Sequence, residues 1–205
     1  MSHHPQREEQ LNRLTRVVDV VFALVIWRAF MLLPHAGENP EWTSVADMLA
    51  DEWQVFGVVL LLTLIVIIYW QQHNMITRHL IATDARHSGL AIFQLLFLLL
   101  FLYAISQGLQ LGASASQRAF ESSTAVLVGV LSNLSWRYAT RNRKRMIDPE
   151  ASDEKIDQVS HQILAEPVTA VITIPFAFMG PWFWELSWFL YPLIRKFFSR
   201  IRKNA

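Results

Sequence analysis

Six apolar runs divide this chain, and its basic residues gather in every second gap between them. The runs cover roughly Val17 to Leu33, Val55 to Trp70, Leu90 to Ile105, Phe120 to Trp136, Ile163 to Met179 and Trp182 to Leu193. All but two of the 18 Lys and Arg fall in the N-terminal tail, the second gap, the fourth gap or the C-terminal tail. The exceptions are Arg118, in the third gap, and Arg28, inside the first run. This alternation is the positive-inside pattern of a chain that crosses a membrane an even number of times, with both ends cytoplasmic. The sequence therefore predicts an all-α integral membrane protein, a single domain over residues 1–205 with six transmembrane helices. Residues 1–11 form a polar cytoplasmic tail, and 137–162 form the longest cytoplasmic loop.

Composition supports the same class. The chain is 53% hydrophobic, with eight Trp and no Cys. Runs this long and this free of charge lack the polar face of a soluble amphipathic helix. The absence of Cys excludes disulfides and thiolate metal sites. Met1 to Gln10 is polar, and the first run leads into an acidic, Pro-containing loop rather than a small-residue cleavage site, so no signal peptide is expected and the first run is read as a true span. The outer gaps carry Glu38, Glu41, Asp47, Asp51, Glu52 and Glu121 against Arg118. Either that mouth attracts cations, or external loops are simply free to be acidic.

Punctuation marks the loops. Asn39-Pro40 is a turn signal. The residues from Glu41 to Leu49 read as a short amphipathic outer helix, with Trp42 as an interface anchor. Helical spacing continues past Trp70, so the second span projects into the cytoplasm. Gly108 and Gly112 mark the next outer turn. Ser122, Ser123, Thr124, Ala125, Gly129 and Ser132 make the fourth span small enough for close helix contact. Asp148-Pro149 is a turn, and the basic cluster before it is either solvated or touches anionic headgroups. The stretch Ile163 to Leu193 is long for one span and short for two. Gly180-Pro181 makes it a tight hairpin of two short spans, with a re-entrant hairpin as the alternative, and Pro167 and Pro175 kink its first arm.

Ionisable groups within spans cost about 2.5 to 3.5 kcal/mol at a helix centre, so the few here stand out. Among them are Asp19, Arg28 and Glu185. Arg16 and Asp19 are spaced for an interfacial ion pair. Trp70 and His73 share a helix face. His73 is either a polar cap at the membrane edge or a buried partner for Asp19. His73, His79 and His87 lack the spacing of a helical metal pair, and no metal or cofactor is expected. No hydrolase, kinase or phosphate-loop signature occurs, and no Thr-Val-Gly-Tyr-Gly filter. The chain is not expected to be an enzyme, because no cluster of convergent polar groups occurs at one depth.

The pattern Arg13-x-x-x-Val17-Val18-Asp19-x-Val21-Phe22-Ala23 resembles the start of the transmembrane-protein-175 family of lysosomal and prokaryotic potassium channels. The run Ile67-Ile68-Tyr69-Trp70-Gln71-Gln72-His73, followed by Asp84 and a Leu/Phe-rich third span, resembles it more closely. Val17-Val18 stands where the family has Phe-Ser, and Trp27-Arg28 replaces small or aliphatic residues. The resemblance covers most of the chain to about Lys144 and implies a homotetramer whose first helices line a central pore. It places Leu24 at the family's constricting aliphatic position. A helix facing the axis at Leu24 also presents Val20, Trp27 and Met31 within about 60 degrees. Arg13, Asp19, Trp70 and His73 would form a packing network that sets the angle of the first helix. A ring of leucines closes a pore by dewetting and offers no oxygen cage. The implied activity is a potassium-permeable channel in a bacterial inner membrane, with K+ as permeant ion. Monovalent cations, lipid and further copies of the chain are the expected partners, and nucleic acid is not. A proton-coupled transporter using Asp19 and His73 is the alternative, although the two halves show no internal repeat. Arg28 lies about 40 degrees from Leu24. It must pair with an acid such as Glu185 or Glu52, or turn aside, if the lumen is to pass cations.

Overall fold

The computed structural model describes residues 5–35, 39–111 and 114–204. Glu38 and Gly112, expected in outer turns, lie outside them. The described residues form nine α-helices: α1 (Pro5–Phe30), α2 (Val45–Asp51), α3 (Trp53–Thr77), α4 (Ala85–Leu111), α5 (Ala115–Arg141), α6 (Arg143–Met146), α7 (Asp153–Met179), α8 (Pro181–Ser187) and α9 (Leu190–Asn204). Three are long and apolar enough to cross a membrane, over Trp53–Thr77, Ala85–Gly108 and Asp153–Met179. The chain is a multi-helix membrane protein.

Two compact units divide it, Thr15–Asn74 and Met1–Leu14 with Met75–Ala205. In the first unit, buried positions on α3 recur at Val59, Leu62, Val66, Tyr69 and His73. These steps of three and four trace one helix face. On α1 the buried positions are Val18, Phe22 and Ala29. Between the two helices α2 opens on Ser44, whose side chain accepts from Asp47 N–H at 3.2 Å. Trp42, expected as an interface anchor, donates its indole N–H to Asp51 at 3.0 Å. Hydroxyls of Thr43 and Ser44 hold the Asp47 carboxyl below its ordinary range.

In the second unit α5 packs against both α4 and α7, and α7 also carries α8 and α9. α5 can be shared because its buried face is small: Ser122, Ala125, Gly129 and Ser132. A Cβ on Gly129 would sit 2.7 Å from Cδ of Pro167, so the α5 and α7 backbones meet there as only glycine permits. At the Arg-rich ends of these helices a separate apolar core forms from Leu80, Trp136, Met146, Ile147, Val159 and Ile163, among others. An antiparallel bridge joins Leu80 to Ile147.

Several expected boundaries move. Helix α1 begins at Pro5, inside the segment read as a polar tail, and Leu11 and Leu14 are buried. It ends at Phe30, so Arg28 falls in its last turn, where a cation favours the carboxyl end of the helix dipole. The segment 137–162 is largely helical, because α5 runs to Arg141 and α7 starts at Asp153 behind its Ser152 cap. The Asp148-Pro149 turn is present, with Ala151 N–H donating to Asp148 O at 3.0 Å. Gly180, at φ 133°, separates α7 from α8, and Pro181 opens α8. The expected span 182–193 is not one continuous helix: it breaks at Trp188-Phe189, between α8 and α9. The seven residues of α8 reach about 10 Å at 1.5 Å per residue, too short to span alone.

Candidate functional site

Two arrangements of side chains stand out, one in each unit. In the first unit α1 carries Val20, Leu24 and Trp27 on one face, and Met31, in the turn just past its end with its N–H on Trp27 O at 3.1 Å, continues the row; each keeps 45–61% of its surface exposed. Val17 extends the same row. Steps of three and four place these residues on one stripe, while Val18 and Phe22 are turned inward. The four residues read as lining a pore are thus brought to one uncovered apolar face.

That face is tied near its start. Trp70 on α3 donates its indole N–H to Asp19 Oδ1 at 2.9 Å. His73, one turn further along α3, is buried, and its ring meets that of Phe22 at 6.4 Å with a 50° tilt. The Trp-x-x-His spacing therefore puts both side chains against α1, one on its carboxylate and one on its aromatic ring. Arg13 instead makes an exposed ion pair with Glu9, one turn before it. A pair so exposed is worth at most about 1 kcal/mol. Arg28 is exposed and makes no ion pair with Glu52, the acid of its own unit.

The second arrangement repairs proline damage in α7. A proline has no N–H, so it leaves the carbonyl four residues earlier without its helical partner. Pro167 frees the carbonyl of Ile163, and Asn133 of α5 donates to that oxygen at 3.0 Å. The carbonyl of Ala177 is also without a helical partner, because α7 ends at Met179 and the last four carbonyls of a helix have none. Arg118 of α5 takes it with two donors, Nε at 3.1 Å and a terminal nitrogen at 2.9 Å. Between these points Ser122 Oγ accepts from Thr173 at 2.8 Å and from the Trp184 indole at 2.9 Å, which clasps α5, α7 and α8 together.

Arg118 and Glu121 were expected among the charges of the outer mouth. The structure corrects this: both lie in α5 and each is only 6% exposed. Ser114 caps α5 by accepting from Gln117 N–H at 3.2 Å, so the helix starts before the apolar run and draws the two charges inside. The sequence signal for Asn133 lay in Pro167, which leaves the Ile163 carbonyl wanting a donor. The signal for the buried role of Arg118 was Gly180-Pro181, which ends α7 and leaves its last carbonyls open.

At the Arg-rich end Asp84 caps α4. It accepts from the backbone N–H groups of His87 at 2.9 Å and Arg86 at 3.1 Å, and from the Tyr138 hydroxyl at 2.7 Å. Burial raises its pKa, but those three bonds together hold it below the ordinary carboxylate value. His87 Nδ1 pairs with Thr83 at 2.8 Å, and its buried Nε2 has no hydrogen-bond partner among the described residues. No group of three or more His, Cys, Asp or Glu among the described residues could hold a metal ion.

Compared with protein-family models and with curated proteins, the sequence matches none. Solved structures do match. The chain is similar to a lysosomal potassium-selective channel TMEM175 homolog from Chamaesiphon minutus, with a TM-score of 0.69 at 15% identity, over 96% of this chain and 100% of that one. It is also similar to a variant of the potassium channel MtTMEM175, crystallised with a nanobody fusion, with a TM-score of 0.63 at 17% identity, over 94% of each chain. At such identities the likeness establishes a shared fold.

Proposed function

With the fold of those channel structures as premise, we propose that this chain is one subunit of a potassium-permeable cation channel of the transmembrane-protein-175 family. Four copies surround a pore lined by α1, with both termini cytoplasmic in a bacterial inner membrane. The sixth crossing is made by α8 and α9 together. The observation that carries the reading is the uncovered stripe Val20, Leu24, Trp27 and Met31 on a helix whose opposite face is buried. In a pore Leu24 forms the narrowest ring. It excludes water when closed and passes a partly hydrated cation when α1 tilts. No carbonyl filter takes part, so discrimination among monovalent cations is modest. The Trp70–Asp19 bond fixes the angle of α1. Arg28, at the end of the helix, stands at the pore mouth rather than within the constriction.

The competing role for the stripe is contact with lipid, and the chain's lack of Cys makes the two easy to separate. Leu24→Cys in potassium-loaded liposomes should render flux sensitive to a charged thiol reagent, and Leu24→Ser should raise leak and flatten selectivity. Flux untouched by both changes removes Leu24 from the gate. Strict proton coupling of the flux would favour a carrier built on Asp19 and His73.

A further inference from the structure

We propose that the trough between α5 and α7 is a binding site for one phospholipid with an anionic headgroup, its acyl chain along the trough and its phosphate at Arg137. The trough encloses about 390 Å³, toward the lower end of the range of roughly 300–1,000 Å³ of small-molecule sites. Its walls are Val130 and Leu134 of α5 and Leu164, Val168, Val171 and Ile172 of α7. It opens beside the point where Gly129 meets Pro167. The two backbones approach closely there, and the larger side chains on either side of that point leave a channel between them.

The chemistry of the walls selects hydrocarbon. Asn133 lies in the trough, but its amide nitrogen already donates to Gly129 O at 2.9 Å and Ile163 O at 3.0 Å. Pro167 has no N–H to offer. The remaining walls are aliphatic, and they fall within the apolar runs 120–136 and 163–179, at hydrocarbon depth. Along the aliphatic walls a polar solute or an ion would find little to replace its water.

The far end has the opposite character. Arg137 closes the trough at the Arg-rich end of α5. It is exposed, and among the described residues its guanidinium has no hydrogen-bond or ion-pair partner. From Val130 to Arg137 the helix rises about 10 Å, so the guanidinium reaches headgroup level while the aliphatic wall stays in the chain region. A guanidinium grips a phosphate with two parallel bonds. A neighbouring protein helix would have to bring its own acid to that height, whereas a lipid carries its phosphate there by construction. The inference needs the chain to be embedded in a bilayer, and it is independent of whether the protein conducts.

The test uses the full-length protein in detergent with equal amounts of phosphatidylglycerol and phosphatidylcholine, with retained lipid read by native mass spectrometry. Phosphatidylglycerol should be favoured roughly fivefold, the order expected for one basic side chain meeting an anionic lipid. Arg137→Gln should bring the ratio to parity, and Arg141→Gln should leave it unchanged. Leu134→Trp should fill the trough and lower retention of both lipids. Parity in the unaltered protein, or a preference that survives Arg137→Gln, overturns the proposal. So does a disulfide between copies formed by Leu134→Cys with Val171→Cys in native membranes, which would seat a second copy in the trough.

Discussion

Along α1 and the turn that follows it the apolar side chains Val20, Leu24, Trp27 and Met31 stand uncovered, whereas along α5 the polar Ser122, Ser132, Arg118 and Glu121 are buried. A soluble protein would reverse both choices. The difference follows from the solvent. In lipid an exposed leucine costs nothing, and an unpaired carbonyl costs several kcal/mol, so polar side chains are retained where the backbone needs donors. The α5–α7 pair uses its polar groups on the carbonyls left open by Pro167 and by the end of α7. The first unit ties α3 to α1 through Trp70 and Asp19 and leaves an apolar face available to whatever surrounds it.

The largest break in this contrast should come from Arg118→Leu, which leaves the buried Ala177 carbonyl without its donors. We expect a loss of about 2–3 kcal/mol, read by chemical or thermal unfolding in detergent. Arg118→Lys, which keeps a donor and the charge but not the two-pronged grip, should lose less, and a loss equal to that of Arg118→Leu would show that the carbonyl is not what Arg118 serves. Gly129→Leu forces a side chain into the Pro167 ring and should cost about 1–3 kcal/mol, or separate α5 from α7 altogether. Asn133→Leu should cost about 1 kcal/mol, since that packing survives and only the donor to Ile163 is lost. Leu24→Ser, in the first unit, should alter stability by less than about 0.5 kcal/mol while changing flux. Equal destabilisation by Leu24→Ser and Asn133→Leu would erase the contrast between the units.

A pH series sharpens it further. Asp84, which precedes α4, has its folded pKa depressed by its hydrogen bonds, so the stability it contributes is present above about 3.9 and is lost as pH falls through its folded value. Melting at pH 6 and pH 3 should differ, and Asp84→Asn should narrow the difference.

Much of this was legible from residue order. The alternation of basic gaps, the Gly180-Pro181 hinge, the extension of α3 past Trp70 and the face shared by Trp70 and His73 all follow from local rules of hydropathy, proline chemistry and helical period. The stripe through Leu24 followed from the same period once a resemblance had picked out its centre. Arg118 and Glu121 looked like loop charges because hydropathy counts a buried arginine as it counts a solvated one. The last apolar run looked like a span because composition does not register the break at Trp188-Phe189.

Local chemistry thus set where the helices run, where they stop and which ends carry charge, since transfer into hydrocarbon and the missing proline N–H belong to single residues and their near neighbours. The choice of which face of each helix is covered, and the pairing of Asn133 with Ile163 and of Arg118 with Ala177, waited on the packing of α5 against α7. Those partners are distant along the chain, and only the close approach at Gly129 and Pro167 brings donor and orphaned carbonyl within reach.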